Sequence, residues 1–209
     1  MIKQRMAQLL PLLLALLLVG GCTREKRPPG EAYADDFAQL QSVWKPTGGT
    51  WRVQGGELVV DHAYNHPIWL TKAIPRDAVI ELDAWSNADD GDLKIELWGD
   101  GKSYAQTVSY TATSYVFILG GWHNQISVIA RMNEHGADRR ARNDFRVEKG
   151  RKYHWRIERR SGHIEWQVDG KPFLVMDDPK PLDGPDHAFL GINDWEAELH
   201  FDNLKVTPL

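Results

Sequence analysis

The chain has 209 residues, of which 42% are hydrophobic and 26% charged, and its formal net charge at pH 7 is −4. An acidic chain with scattered basic residues lacks the basic patch that nucleic-acid binding requires, so we exclude that class of function. Its single cysteine excludes an intramolecular disulfide, and stability must therefore come from a buried core, for which nine tryptophans supply aromatic mass.

The N-terminal segment has the pattern of a bacterial signal peptide. Lys3 and Arg5 precede the apolar run LLPLLLALLLVGG, which is short for a membrane span. The run ends in LVGGC, residues 18–22, which resembles the lipobox of bacterial lipoproteins, where the signal is cut before an acylated cysteine. The resemblance implies a signal peptide over 1–21, lipidation of Cys22 and membrane anchoring. A plain secretory signal or an uncleaved anchor is the alternative.

The residues around the predicted anchor indicate where the protein works. Thr23, rather than Asp, follows the cysteine, and in Gram-negative lipoproteins this implies sorting to the outer membrane. Residues 22–33 are charged, rich in Pro and Gly and without apolar periodicity, which predicts a lipidated cysteine on a short flexible tether. The remaining residues, 34–209, suit one domain.

Apolar and polar residues alternate along most of this domain, which is typical of half-buried strands. The alternating runs are AVIELDAW (78–85), DLKIELW (92–98), YHWRIER (153–159) and HIEWQV (163–168). In the second run the pattern turns Leu93, Ile95 and Leu97 inward and Asp92, Lys94, Glu96 and Trp98 outward. Asp-Gly at 90–91, 100–101, 169–170 and 183–184 and Ser-Gly at 161–162 are turn signals. With no long amphipathic helix, the predicted class is all-β, a sandwich or barrel.

Three segments resemble the concanavalin A-like lectin and glucanase jelly rolls. DDF (35–37) with GGTWRVQGGELVV (48–60) is similar to their opening, YHWRIERRSGHIEWQVDGKPFLVMDD (153–178) to their late hairpin, and HFDNLKV (200–206) to their closing strand. The resemblance implies a two-sheet antiparallel jelly-roll β-sandwich over 34–209 that takes ligands on its concave face or rim loops. The resemblance also includes uncharacterised bacterial exported domains and the 3-keto-disaccharide hydrolase group. These motifs are structural and do not fix the chemistry.

The glucanase motif of that family, Glu-x-Asp-x-x-Glu, is incomplete in this chain. Glu81 and Asp83 supply its first two positions, but Ser86 occupies the third, so the retaining mechanism lacks its acid/base. Asp92 and Glu96 form another carboxylate pair but match no motif. We therefore interpret Glu81 and Asp83 as solvated carboxylates on an outer face, and we predict a non-catalytic protein.

No metal or other cofactor is predicted. The only cysteine is at the anchor, and the eight histidines form no compact set such as His-x-x-x-His. NADDGDLKIE (87–96) has the oxygen density of a calcium site, but its glycine falls outside the EF-hand pattern, and we interpret it as a hairpin turn.

The segment GGWHNQISVIARMNEHG (120–136) is the principal candidate binding site. Gly120 and Gly121 break one strand and place three polar or aromatic residues at a bend before the next. Sugar sites combine aromatic rings that stack on pyranoses with groups that hydrogen-bond hydroxyls. The candidate carbohydrate-binding residues are Trp122, His123, Asn124, Arg131, Glu134, His135 and, from the later motif GINDW, Trp195. Structural roles are the alternatives: Trp122 capping the core and Trp195 plugging one end of the sandwich.

These features predict a lipid-anchored cell-envelope protein with a non-catalytic module that binds a glycan or envelope polysaccharide. One alternative is a glycoside hydrolase or related sugar-active hydrolase, with Glu81, Asp83, Asp92 or Glu96 as its acids. A second is a structural lipoprotein that holds a protein partner. An aromatic groove would favour binding, two facing carboxylates an enzyme, and an apolar patch of several hundred Å² a protein partner.

Overall fold

The computed structural model describes residues 26–107 and 110–209, so the predicted signal peptide, Cys22 and the start of the tether lie outside it. The strands are β1 (Tyr33–Asp35), β2 (Trp44–Pro46), β3 (Thr50–Gln54), β4 (Glu57–Asp61), β5 (Ile68–Leu70), β6 (Ala78–Ser86), β7 (Leu93–Gly99), β8 (Tyr115–Gly120), β9 (Ile126–Arg131), β10 (Arg140–Arg142), β11 (Tyr153–Arg160), β12 (His163–Val168), β13 (Lys171–Asp177), β14 (Phe189–Asn193) and β15 (Leu199–Pro208), with a helical turn α1 (Gly121–Asn124) between β8 and β9. Among the described residues, no helix is long and apolar enough to cross a membrane.

The strands form two antiparallel sheets. Sheet A has the order β13-β12-β11-β6-β15-β4-β3, with β1 paired to β15, and sheet B has the order β10-β9-β8-β7-β14-β5-β2. Two of the predicted turns close tight hairpins: Arg160 pairs with His163 across Ser-Gly, and Val168 pairs with Lys171 across Asp-Gly. The prediction of an all-β, two-sheet antiparallel sandwich is confirmed.

The core lies between the two sheets and is built from the inward residues of the alternating strands. Ile80, Leu82 and Ala84 of β6 and Leu93, Ile95 and Leu97 of β7 are all buried in it, as predicted. Trp155 and Trp166 join from β11 and β12, with ring centroids 4.6 Å apart. Apolar burial of this extent is the main favourable term in the stability of the domain.

Trp98 corrects one prediction of the alternation pattern. Its side chain is fully buried in the core rather than outward, and its indole Nε1 donates to the carbonyl of Pro75 over 2.9 Å. The cause is a β-bulge: Trp98 has a φ of 57°, and the pairing of β7 with β14 shifts between Phe189 and Leu190. One extra residue on the bulged strand reverses the direction of the side chain.

The outer face of sheet B, which points away from sheet A, is largely covered. The Trp69 ring lies over Gly99 and Gly191, where a Cβ would come within 2.7 and 2.9 Å of it. Segments 100–107 and 110–114 lie on the same face, where Ser103 accepts a hydrogen bond from Trp69. Lys94 and Glu96, which the pattern turns outward on β7, are therefore buried on this side of the sheet.

Candidate functional site

A cleft of about 450 Å³ opens on the outer face of sheet B, where β7 begins and β8 and β14 end. It is lined by His62, Asn65, Ala88, Asp90, Asp92, Lys94, Ile118, Trp122, His123, Glu134, His135, Trp195, Glu196 and Ala197. Its volume lies within the range of roughly 300–1,000 Å³ that is typical of small-molecule sites.

One wall of the cleft is the turn α1, which has left-handed backbone angles. Trp122, His123 and Asn124 have φ values of 51°, 56° and 59°. The Gln125 amide donates to the Gly121 carbonyl over 2.9 Å and closes the turn. A left-handed conformation costs roughly 1–2 kcal/mol for each non-glycine residue, so other contacts must hold this turn in place.

The Asn124 side chain supplies those contacts. Its amide donates to the carbonyls of Val147 and Asp89 over 2.7 and 3.1 Å, and its oxygen accepts from the Val147 amide over 2.8 Å. Asn124 does not line the cleft. The sequence predicts that Asn124 contacts a ligand, whereas in the structure its side chain fixes the turn that displays Trp122 and His123.

The opposite wall is the segment 62–66, which is also left-handed. His62, Tyr64 and Asn65 have φ values of 52°, 50° and 61°. The amides of Tyr64 and Asn65 donate to the carbonyls of Trp195 and Asp194 over 3.0 and 2.9 Å. These bonds join the segment to the residues that follow β14.

The Asp194 carboxylate holds both sides of that junction. It accepts hydrogen bonds from the amides of Ala63 and Ala197, each over 3.1 Å. Burial raises the pKa of Asp194 to about 7, against the opposing effect of these two donors. The side chain of Trp195 is thereby presented at the cleft from a firmly bonded backbone, with 37% of its surface exposed.

A buried ion pair forms the floor of the cleft. The Lys94 ammonium donates to the Asn65 side-chain oxygen over 2.8 Å and pairs with the Glu134 carboxylate over 2.9 Å. Asp92 lies beside them and accepts a hydrogen bond from the Trp195 amide. Burial raises the pKa of Asp92 to about 6, while the charge of Lys94 acts to lower it.

Glu96 lies beneath this floor and does not line the cleft. Asn193 and Ser114 donate to its carboxylate, each over 2.7 Å, and the Tyr110 hydroxyl donates over 3.2 Å. Burial raises the pKa of Glu96 to about 7. With no exposed surface, Glu96 cannot contact a ligand in this conformation.

Trp122 contacts both the protein and the cleft. Its half-buried ring packs against a small apolar cluster on sheet B that includes Ile118 and Val128. The Arg139 guanidinium lies 5.1 Å from the ring centroid, and the His135 ring is edge-on at 5.5 Å. Trp122 thus packs against sheet B and also lines the cleft, and its role in stacking on a ligand stays a prediction.

The cleft brings together five of the seven candidate residues, namely Trp122, His123, Glu134, His135 and Trp195. Arg131 points instead to the other face of β9, where its Nε donates to Asp178 over 2.9 Å. Asn65, Lys94 and His62 also line the cleft, although the sequence did not predict them as binding residues. The position of Lys94 beside Asp92 on the outward face of β7 was a usable signal, whereas nothing local marked Asn65 or His62.

The incomplete glucanase pair lies elsewhere. Glu81 and Asp83 are on the outer face of sheet A, where His154 and Asn203 hydrogen-bond to Asp83 over 2.8 and 2.9 Å. Ser86 is fully buried. In the part of the chain that the structure describes, no group of three or more His, Cys, Asp or Glu side chains could hold a metal ion.

Solved structures with related folds include carbohydrate-binding modules and glycosidases. The fold is that of the concanavalin A-like jelly rolls. A Bacillus licheniformis beta-glucanase has a TM-score of 0.64 at 10% identity, covering 86% of this chain and 99% of its own. A carbohydrate binding module from Bacillus subtilis has a TM-score of 0.57 at 15% identity, covering 79% and 95%. A putative glycosyl hydrolase from Parabacteroides distasonis has a TM-score of 0.53 at 19% identity, covering 79% and 99%.

At these identities the similarity shows the fold alone. No protein-family model matches the chain, and no curated protein matches it. The similarity to the 3-keto-disaccharide hydrolase group stays a prediction.

Proposed function

We propose that this protein binds a glycan in the cleft of sheet B, without catalysis, as a lipid-anchored protein of the cell envelope. The observation that carries the proposal is the construction of the cleft: one left-handed turn displays Trp122, and a second one, the segment 62–66, is hydrogen-bonded to the backbone that displays Trp195. Left-handed non-glycine residues are sparse in proteins and cluster at ligand sites, because binding contacts can require a backbone that is otherwise unfavourable.

The chemistry of the lining suits a sugar. The exposed face of Trp195 and the free part of the Trp122 ring provide apolar surfaces for the faces of a pyranose. Glu134, fixed by Lys94, and the histidines at the rim provide acceptors and donors for hydroxyl groups. Since Glu134 and the backbones that carry both tryptophans are already held in position, a ligand would order few of these groups on binding.

The test is a glycan array probed with the detergent-solubilised full chain. We expect a defined set of glycans to bind, and Trp195→Ala to lower their signals because an exposed ring is removed while its bonded backbone stays. Leu40→Ala is the matched control, since Leu40 is exposed to a similar extent, 41%, in the connection between β1 and β2. Absence of glycan binding, or equal loss in both variants, would contradict the proposal.

Hydrolysis of a glycosidic bond is the second candidate function, and the position of two carboxyl groups favours it. Asp92 and Glu134 both line the cleft beside Lys94, and the raised pKa of Asp92, about 6, suits a proton donor. Glycosidases require such a pair. If the protein releases reducing ends from a bound glycan, and Asp92→Asn abolishes this release while binding persists, hydrolysis replaces non-catalytic binding as the proposed function.

The proposed anchor is compatible with an accessible cleft. The Arg27 guanidinium donates to the carbonyl of Ile74 over 2.7 Å and to that of His187 over 3.3 Å, so the chain reaches the domain where β14 begins. The cleft lies where β14 ends, about 13 Å away along the five residues of the strand at a rise of ~3.3 Å per residue. A lipid on Cys22 would hold the opposite end of the sandwich near the membrane, which we propose is the outer membrane of a Gram-negative bacterium.

A further inference from the structure

We propose that the binding site extends beyond the cleft along an aromatic ledge formed by Trp195, Tyr64 and Tyr104, and that it takes an uncharged linear oligosaccharide longer than the cleft. This inference rests on the proposed function, because the cleft must first take a glycan. It adds the length and the charge class of that glycan.

The ledge is distinguished by its exposure. Single exposed apolar side chains are ordinary on a protein surface, but a group of them beside a cleft marks a contact surface. Tyr64 and Tyr104 are each 41% exposed and Trp195 is 37% exposed. The other large hydrophobic side chains exposed to this extent in the described part of the chain are Leu40, Val175 and Leu209.

The three rings are linked through one segment of the chain. Tyr64 meets Trp195 edge-on with ring centroids 5.2 Å apart, and His66 stacks on Tyr104 at 5.3 Å. The Ala105 amide donates to the Asn65 carbonyl over 2.9 Å, which fastens the neighbour of Tyr104 to the wall of the cleft. Segment 62–66 therefore bridges the cleft and Tyr104.

Tyr104 lies on the same side of the domain as the cleft. The residue before it, Ser103, accepts a hydrogen bond from Trp69 over 3.0 Å. Trp69 lies on the outer face of sheet B, where it covers Gly99 and Gly191. A chain that leaves the cleft past Trp195 would meet Tyr64 and then Tyr104 without crossing an edge of the sandwich.

The ledge is also held in place before any ligand arrives. Tyr64 has a φ of 50°, and its amide is bonded to the carbonyl of Trp195 over 3.0 Å. Stacking surfaces with few rotatable bonds and a fixed backbone lose little conformational entropy on binding. Exposed aromatic rings on a backbone of this kind are suited to stacking against successive sugar units of one oligosaccharide.

The charge of the cleft argues for an uncharged ligand. Asp90, Asp92, Glu134 and Glu196 line it. Lys94 is only 2% exposed and is already paired with Glu134, and the Arg139 guanidinium lies over the Trp122 ring, 5.1 Å from its centroid. With the three lining histidines counted as neutral, four carboxylates face these two cations, so a uronic acid or another anionic sugar would be repelled.

The experiment is calorimetric titration of the detergent-solubilised full chain with dimers and hexamers of the cello-, laminari-, chito- and xylo-oligosaccharide series, and with hexagalacturonate. We expect at least one neutral hexamer to bind at least tenfold more tightly than its dimer, and hexagalacturonate not to bind. Tyr104→Ala should lower the affinity for that hexamer about tenfold, the order of one lost stacking contact, and leave the dimer unchanged. Tyr104→Phe should keep the affinity, and Val175→Ala on sheet A is the control.

Several results would overturn the inference: equal affinity for dimer and hexamer, an unaffected hexamer with Tyr104→Ala, a preference for hexagalacturonate, or no binding of any neutral hexamer. Failure of the proposed function looks different. If array glycans bind and depend on Trp195 while affinity is independent of chain length, the glycan site stands and only the ledge is refuted. If no glycan binds on the array, both fail.

Discussion

Replacing Trp122 by alanine separates the contribution of this ring to the fold from its contribution to binding. The ring packs against the cluster around Ile118 and Val128 but is only half-buried. Its removal should therefore cost less than the ~3–5 kcal/mol of a fully buried aromatic, about 2 kcal/mol. Loss of the Arg139 cation–π contact adds about 0.5–1 kcal/mol. The left-handed strain is unchanged because alanine keeps a Cβ.

The free energy of unfolding should thus fall by about 2.5–3 kcal/mol, and the domain should still fold, because the core between the sheets is untouched. Affinity for the array-defined glycan should fall by about 1–3 kcal/mol, or roughly 5- to 150-fold, if one stacking surface is lost. Urea melts followed by circular dichroism give the free energy of unfolding. Calorimetric titration at a temperature where the variant is fully folded gives the glycan affinity.

The two measurements can refute the two roles independently. Unchanged affinity in folded Trp122→Ala would remove the ring from the binding site, although it lines the cleft. A loss of stability below about 1 kcal/mol would show that the packing contacts contribute little, since even partial burial of an aromatic ring should exceed that value. Trp122→Phe, which keeps an aromatic face in place, should lose less stability and less glycan affinity than Trp122→Ala.

Three further predictions concern the anchor, the sheet A carboxylates and a buried acid. Cys22→Ala should leave precursor or soluble protein, and a processed variant that still partitions into detergent would contradict lipidation. Glu81→Gln with Asp83→Asn should leave glycan affinity and any hydrolysis unchanged, because both residues lie on sheet A away from the cleft; lost activity with an intact circular dichroism spectrum would point to an enzyme. Burial raises the pKa of Glu96 from 4.5 to about 7, so the folded protein retains a proton that the unfolded chain releases. The contribution of Glu96 to stability therefore falls as pH rises from about 4.5 to 7. Urea melts at pH 5 and 8 should show a weaker pH dependence of stability in Glu96→Gln than in the unmodified protein. An identical pH dependence in both proteins would refute this role of Glu96.

The sandwich could be predicted because its strands obey a local rule. In β6 every second residue from Ile80 to Ala84 enters the core, and the same period holds along β11 and β12. Trp98 escaped the rule because a bulge shifts the register by one residue, and whether a strand bulges depends on its partner, here β14. Because β7 pairs with a strand that lies 90 residues later in the chain, the seven residues of the strand itself do not reveal the bulge.

The candidate site was predictable only as far as it is continuous in sequence. The segment from Trp122 to His135 supplies one wall and part of the floor, and its composition identified it. The Asn65 that contacts Lys94 is 29 residues away from it, and the Asp194 carboxylate that bonds Ala63 is 131 residues away. Such pairs are brought together by the order of strands in sheet B, which no local pattern encodes.

The left-handed turns show that composition pointed to a segment that lines the cleft, but for an incomplete reason. Gly120 and Gly121 suggested a flexible bend, yet Trp122 and His123 themselves adopt left-handed angles that usually favour glycine or asparagine. The turn persists because Asn124 makes three hydrogen bonds to neighbouring backbone. The same logic holds for segment 62–66, which Asp194 secures. Both walls are therefore rigid supports for exposed rings, and a cleft of this construction is better suited to selecting a preformed ligand shape than to closing around one.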